Sequence, residues 1–248
     1  MLSPLLLYSG DFSLPKYSLY TTHNIYLDKE AQKNIIPLKQ NTNIRESYKL
    51  SNNPPPKPVI IFVGGFLDSF HQVVFREFAT FSQDSYPQLS NIPFVAKIYS
   101  TFSCEKLFTL LLPEILALSY TPYIIAHSWG ARNICKALKN IQDTLPNSSI
   151  PLLLTLDPVG YWQPTQPIQC VEQWVNIYIA DKWRYFFKTS NICTFIGHAW
   201  NECKYANKNI AIKNEHLSSM SDKKALNTRK TPINHASIRT MLSVFDNA

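Results

Sequence analysis

The stretch Tyr123-Ile-Ile-Ala-His-Ser-Trp-Gly-Ala131 joins an apolar run to a short polar turn and then to a helical pattern. The apolar run is typical of a buried β-strand, and Ser128 comes at the point where that strand ends. A serine on a sharp strand-to-helix turn holds its Oγ above the end of a sheet, with a helix N-terminus behind it. The stretch therefore predicts a nucleophile elbow with Ser128 as the nucleophile. A serine that caps the N-terminus of the helix is the alternative interpretation.

Apolar runs and helical patterns alternate along the chain from residue 59 onward. Besides the elbow strand, strands are predicted at 59–63, 94–99, 151–156 and 171–179, and helices at 69–81, 105–119, 130–141 and 235–245. The helix at 69–81 is expected to turn one face inward, formed by Phe70, Val73, Val74, Phe75 and Phe78. The last helix is expected to bury Ile238, Met241, Leu242 and Phe245. This alternation predicts an α/β fold with a mostly parallel central sheet and helices on both of its faces.

The chain divides into a poorly patterned N-terminal part and a regular remainder. Residues 1–57 are predicted to add two edge strands, at 18–22 and 24–27, and a stiff proline-rich lead-in to the same domain. Residues 58–248 are predicted to form the core of that domain, with a cap segment at about 182–230. A chain of 248 residues is expected to be a single domain with a sizeable core.

Composition argues against several classes of protein. No apolar run approaches the roughly 20 residues of a membrane-spanning helix. The five cysteines form no C-x-x-C pair, so we expect free thiols and no zinc or other metal site, with Cys135 in the core. The net charge is +7, but the chain has no recognisable nucleic-acid-binding motif and its charges form no basic stripe. No nucleic-acid partner is therefore expected. Because the N-terminus lacks a basic flank and a cleavage site, a cytoplasmic protein, or one secreted without a cleavable signal peptide, is expected.

A glycine pair follows the first predicted central strand. Gly64 and Gly65 let the backbone turn so that an N–H group points at a substrate oxygen. The backbone N–H groups of Phe66 and Trp129 are the predicted donors of an oxyanion hole, and Gly65 is expected to lie against the substrate. A plain strand-to-helix turn, which also favours glycine, is the alternative.

An acid and a base are available in the order that a nucleophile elbow requires. Asp157 ends the strand that follows the nucleophile strand and is the predicted acid; Asp181, after the next strand, is the alternative acid. His235 opens the last helix and is the predicted general base. The competing histidines are His198 and His216, whereas His127 is expected to point away from its neighbour Ser128.

Aromatic residues follow the predicted acid. Tyr161 and Trp162 are expected to line a substrate cleft near Asp157. The segment 182–188 is aromatic and basic at once, which suits a cap over the site, a contact with a membrane surface, or ordinary burial with the lysine stems along apolar surface. The sequence leaves the oligomeric state open.

On these residues, the chain resembles the α/β-hydrolase superfamily over residues 58–245. Ala126-His-Ser-Trp-Gly130 and Leu156-Asp-Pro-Val159 resemble lipase-type members, and the Gly64–Gly65 turn is similar to that of some bacterial lipase-like effectors. The chain departs from the family pattern at Ala126, where the family has glycine, and in lacking a His-Gly pair at the oxyanion loop.

The resemblance implies hydrolysis of a carboxylic ester of a small molecule or lipid through an acyl-enzyme, without a cofactor. Ser128 would be the nucleophile, Asp157 the acid and His235 the base. The alternative is a catalytically inactive α/β-hydrolase-like protein that binds a ligand or partner.

Overall fold

The computed structural model describes residues 6–10, 57–66, 68, 72–82, 86–102, 105–180, 197–212 and 238–246. These residues form seven strands, namely β1 (Leu6–Gly10), β2 (Lys57–Val63), β3 (Ala96–Ser100), β4 (Tyr120–His127), β5 (Ile150–Leu156), β6 (Val171–Ile179) and β7 (Lys208–Ile212). They also form five α-helices, namely α1 (Val73–Thr80), α2 (Pro87–Ser90), α3 (Glu105–Ala117), α4 (Ser128–Ile141) and α5 (Ile238–Asp246). A 3₁₀ turn, Gln142–Thr144, extends the end of α4.

The seven strands form one sheet in the order β1-β3-β2-β4-β5-β6-β7. All strands except β1 run parallel to their neighbours, which makes six parallel strands. β1 pairs antiparallel with β3 at the edge of the sheet. The prediction of an α/β protein with a mostly parallel sheet is therefore confirmed. Since the strands are parallel, their carboxyl ends meet at one edge of the sheet, where ligands of such folds usually bind.

Both faces of the sheet are covered because its central strands carry runs of successive apolar residues, such as residues 59–63 of β2, and not only alternate ones. In β2, Ile61 and Val63 pack on α3 and α4, whereas Ile60 and Phe62 pack on α1, α2 and α5. Successive side chains of a strand point to opposite faces, so a continuous apolar run supplies two cores at once. The chain builds its central sheet between two hydrophobic layers.

The inward faces predicted for the amphipathic helices α1 and α5, which pack on the same face of the sheet, can be compared with their buried residues. All four apolar residues expected to turn inward in α5 are buried, as predicted: Ile238, Met241, Leu242 and Phe245. The prediction for α1 was wrong in one position, because Val73 is 42% exposed. Phe70 lies outside the described residues. Within them the helix runs over Val73–Thr80, and its buried apolar residues are Val74, Phe75 and Phe78.

Three elements had no counterpart among the predictions: β1, α2 and β7. The edge of the sheet is formed by residues 6–10, and the edge strands predicted at 18–22 and 24–27 lie outside the described residues. β7 falls inside the segment 182–230 that was predicted as a cap, and it pairs with β6 in the sheet. Most of the remainder of that segment lies outside the described residues.

Three cysteines lie in the described part of the chain. Cys135, Cys170 and Cys203 are free thiols, as predicted, and all three are buried, as expected for Cys135. Burial raises the pKa of each of the three thiols. These cysteines act as small apolar side chains of the core.

Candidate active site

Ser128 lies on a strained turn between β4 and α4. Its φ is 54°, in the left-handed region that a residue with a side chain seldom adopts, and its side chain is 3% exposed. Ser128 is the first residue of α4, and the N-cap position is taken by His127, which makes no capping hydrogen bond. The interpretation of Ser128 as a helix N-cap is therefore wrong. A sharp left-handed serine at the carboxyl end of a central strand has the backbone of a nucleophile elbow.

The loop after β2 packs directly on this turn, which explains its glycine pair. A methyl group on Gly65 would lie 2.8 Å from Cβ of Ser128 and 3.0 Å from Nδ1 of His127. A methyl group on Gly130 would overlap the carbonyl oxygen of Gly64. The two segments approach each other as closely as their backbones allow, and the imidazole of His127 lies against Gly65 as well.

The predicted oxyanion donors are brought to the same place. Trp129 is the second residue of α4, so no carbonyl within the helix accepts its N–H group. Phe66 follows the glycine pair, and its ring centroid lies 5.9 Å from that of Trp129 and 5.3 Å from that of Phe102. The three rings form an aromatic cluster beside Ser128, and Phe66 remains 47% exposed.

Asp157 lies at the end of the neighbouring strand. His127 and Leu156 are paired in register at the ends of the adjacent strands β4 and β5. Ser128 and Asp157 each follow directly after one of these paired residues. The Asp157 side chain is fully buried, and its φ of 42° is also left-handed. Asp157 N–H donates to the carbonyl of Ile177, and Val159 N–H donates to the carbonyl of Ser128. These bonds tie the turn after β5 both to β6 and to the elbow.

The two aromatic residues predicted to line the site have different surroundings. Tyr161 is 76% exposed, and its ring stacks on that of His198 with 6.1 Å between centroids. Trp162 packs against the core between the sheet and α3 and α4. The N–H of Gly160 donates to the carbonyl of His198, which places this competing histidine beside the turn that follows Asp157.

Several predicted residues lie outside the described part of the chain: His235, the competing His216 and the alternative acid Asp181. Their roles stay predictions. Within the described residues, α5 begins at Ile238, three positions after His235, and Ile238 is buried in the core.

The structure adds two residues that sequence reasoning did not single out. The carboxyl of Asp68 is buried two positions after Phe66, and the phenol of Tyr99 donates a 2.6 Å hydrogen bond to it. Burial raises the pKa of Asp68, against the opposing effect of its hydrogen bonds from Tyr99 and the start of α1. An aspartate between a glycine turn and a helical pattern is a capping signal, which is the local clue to Asp68. No local pattern points to Tyr99.

In the described part of the chain, no group of three or more His, Cys, Asp or Glu side chains is placed to hold a metal ion. No helix in the same part of the chain is long and apolar enough to cross a bilayer.

Comparison with known proteins adds no family assignment. No protein-family model matches the chain, and a search of curated proteins finds no match either. The geometry of the site therefore carries the functional argument.

Proposed function

We propose that the protein has the α/β-hydrolase fold and is a serine hydrolase that cleaves a carboxylic ester through an acyl-enzyme intermediate. The observation that carries this proposal is the left-handed backbone of buried Ser128 between β4 and α4, packed against Gly65. Strained backbone is retained where the surrounding structure holds it, and such positions cluster at active sites. The second support is Asp157, buried at the end of the next strand.

The proposed reaction has two steps. The Oγ of Ser128 attacks the ester carbonyl carbon while His235 takes the hydroxyl proton, and the carbonyl electron pair moves onto oxygen. The N–H groups of Phe66 and Trp129 donate to that oxyanion. The carbon–oxygen bond to the alcohol breaks, and the alcohol leaves with the proton from His235. Water then attacks the acyl-enzyme by the same route and releases the carboxylic acid, while Asp157 keeps the imidazole oriented.

The aromatic cluster of Phe66, Phe102 and Trp129 supports an ester with an apolar group. Two of its members, Phe66 and Trp129, also supply the proposed oxyanion donors, so the cluster belongs to the same two segments as the proposed hole. Phe66 is half exposed, which leaves apolar surface for a substrate to cover. Burial of each additional CH₂ group contributes about 0.8 kcal/mol. We therefore expect longer acyl chains to be preferred over acetate.

Hydrolysis of p-nitrophenyl acetate and p-nitrophenyl decanoate tests this function. Wild-type protein is expected to turn over both esters, with the higher kcat/KM for decanoate. Ser128→Ala is expected to lower kcat by at least about 10³-fold and to abolish labelling by a fluorophosphonate, because the attacking oxygen is gone. Thermal unfolding of the variant should be close to that of wild type.

Two histidine variants identify the base. His235→Ala is expected to lower kcat about as much as Ser128→Ala, since nucleophile and base act as a unit. His198→Ala is the matched control, and it should keep kcat within about threefold because His198 is exposed and is not part of the proposed triad. A larger loss for His198→Ala would transfer the role of base to His198. A wild-type protein without turnover and without fluorophosphonate labelling would favour the ligand-binding alternative.

A further inference from the structure

The loop that carries the proposed oxyanion donor Phe66 is fixed at both ends. At its start, Gly64 N–H donates a 2.7 Å hydrogen bond to the carbonyl of Ser100, the last residue of β3. At its end, Asp68 N–H donates to the carbonyl of Gly65 over 3.1 Å. The backbone of Phe66 lies between these two attachments.

The Asp68 side chain joins the end of this loop to two further elements. One carboxylate oxygen accepts the N–H of Val74 at 2.7 Å, in the first turn of α1. The other accepts the N–H of Phe75 at 3.2 Å and the hydroxyl of Tyr99 at 2.6 Å, on β3. The carboxylate is 3% exposed, so one buried group holds the loop, a helix and a strand together.

This is an unusual way to cap a helix. A capping side chain ordinarily bonds N–H groups two or three residues further on, whereas Asp68 bonds N–H groups six and seven residues further on. The N-cap position of α1 is taken by Gln72, which makes no capping hydrogen bond. A serine, threonine, aspartate or asparagine at 72 is the ordinary N-cap and would need no buried carboxyl from outside the helix. The remote position of Asp68 is explained by its attachment to the loop.

The side chains of Asp68 and Tyr99 also pack closely against the backbone of the loop at Gly64. A methyl group on Gly64 would lie 2.7 Å from Oδ2 of Asp68 and 2.8 Å from the hydroxyl oxygen of Tyr99. On the other side, Gly65 is packed against Ser128. Gly64 and Gly65 are therefore packed between the elbow and this buried pair.

The chemistry of the pair requires a carboxylate. All the contacts that Asp68 receives come from donors, and an ionised carboxylate is the side chain that only accepts. Burial and the neighbouring Asp68 carboxylate raise the pKa of the Tyr99 phenol, which keeps its proton in place as a donor. An asparagine at 68 would bring an NH₂ group against at least one of these donors.

We propose that Asp68, anchored by Tyr99, is a positioning residue that holds the N–H of Phe66 where the oxyanion forms, an inference that rests on the proposed hydrolase function. Oxyanion donors act because they are in place before charge develops. A shift of the loop by a fraction of an ångström weakens the bond in the transition state more than in the ground state. Asp68 then affects kcat without touching the substrate.

The same helix offers a matched control pair. Glu77 of α1 is also a buried carboxyl, 7% exposed, and it accepts a hydrogen bond from the phenol of buried Tyr86. Glu77→Gln and Tyr86→Phe therefore remove the same kind of buried contact as Asp68→Asn and Tyr99→Phe. Neither control residue belongs to the loop or to the elbow.

The experiment compares these four variants of the full chain with wild type. Asp68→Asn is expected to lower kcat on p-nitrophenyl decanoate about 10- to 100-fold with KM within about twofold, since removing a whole oxyanion donor costs about 10²- to 10³-fold. Its affinity for a decyl trifluoromethyl ketone, which forms a tetrahedral adduct, should fall by the same factor as kcat/KM. Tyr99→Phe should show a smaller loss of the same kind. Glu77→Gln and Tyr86→Phe should lower Tm while kcat stays within about twofold.

The outcomes separate the two proposals. If wild-type protein is active and Asp68→Asn has the kcat of Glu77→Gln at a similar loss of Tm, Asp68 is only a structural cap and the inference is overturned. Wild-type protein that neither hydrolyses the ester nor reacts with a fluorophosphonate overturns the hydrolase function itself, and the inference with it. Should Asp68→Asn fail to fold, Tyr99→Phe decides, because its ring keeps the contacts with Phe75 and Phe78.

Discussion

The two ends of the central strands β4 and β5 use the same unusual backbone for different purposes. Ser119 and Ser148, just before these strands, have φ values of 62° and 54°. Ser128 and Asp157, just after the same strands, have φ values of 54° and 42°. Each strand therefore lies between two residues with a left-handed backbone, and three of the four are serines.

Burial distinguishes the two ends. Ser148 is exposed and Ser119 is half-buried, whereas Ser128 and Asp157 are 3% and 0% exposed. At the amino ends the chain turns in or near solvent, and a glycine would serve as well. At the carboxyl ends a polar side chain is retained despite both backbone strain and burial, each of which costs free energy. The two residues proposed as nucleophile and acid are thus the two of these four in which a left-handed backbone coincides with a buried polar side chain.

After Ser128→Ala, the largest expected loss of kcat follows substitution of Asp157 at the carboxyl end of β5. Asp157→Asn is expected to lower kcat by about 10³- to 10⁴-fold, because an amide no longer orients and stabilises the imidazolium. The measurement is steady-state hydrolysis of p-nitrophenyl decanoate, with Asp181→Asn as the matched control. A greater loss in Asp181→Asn would make Asp181 the acid and leave Asp157 a structural role.

A moderate loss of stability is expected from a substitution at Gly130, where the elbow contacts the loop after β2. Gly130→Ala is expected to lower the free energy of unfolding by about 1–3 kcal/mol, since its methyl group meets the Gly64 carbonyl and lies 2.9 Å from a methyl of Val63. We also expect kcat to fall, because the loop that carries Phe66 must move away. Ser148→Ala, at the exposed amino-end turn, should change stability by less than about 0.5 kcal/mol. Equal urea midpoints for the two variants would contradict the close packing of loop and elbow.

The smallest expected effect is on stability, when the serines at the two ends of the strands are replaced by glycine. A left-handed backbone costs a residue with a side chain about 1–2 kcal/mol, and glycine loses about 0.5–1 kcal/mol through chain entropy. Ser148→Gly and Ser128→Gly are therefore each expected to stabilise the fold by about 0.5 kcal/mol, a rise in Tm of about 1–2 °C. Calorimetry should show the same sign for both, while only Ser128→Gly abolishes esterase activity. A Ser128→Gly variant less stable than wild type would mean that this side chain stabilises the turn.

The parts of the site that sequence patterns predicted are those with a local signal. The elbow follows from an apolar strand joined to Ser128 and Gly130, and Asp157 follows from the apolar run of β5. In both cases the strand and the polar residue are adjacent in the chain. The inward face of α5 was predicted for the same reason, since its four apolar residues repeat with the period of a helix.

The parts that sequence patterns missed depend on distant partners. β1 is a strand because residues 6–10 pair with β3, some ninety positions away. β7 has mostly exposed or half-buried side chains and lies at the other edge of the sheet, so it lacks the apolar run of a central strand. The exposure of Val73 depends on where α1 begins, and Asp68 bonds the first turn of that helix from outside it.

Neighbouring residues are enough to predict the class of fold and the candidate nucleophile and acid, because apolar runs, helical periods and turns are local patterns. The strain and burial of Ser128, its packing against Gly65 and the hydrogen bond between Asp68 and Tyr99 arise only in the folded molecule. Asp68 and Tyr99 are 31 positions apart, and their contact exists only because β2 and β3 are paired in the sheet. Local patterns cannot report such a contact, because the free energy that forms it comes from packing the whole sheet.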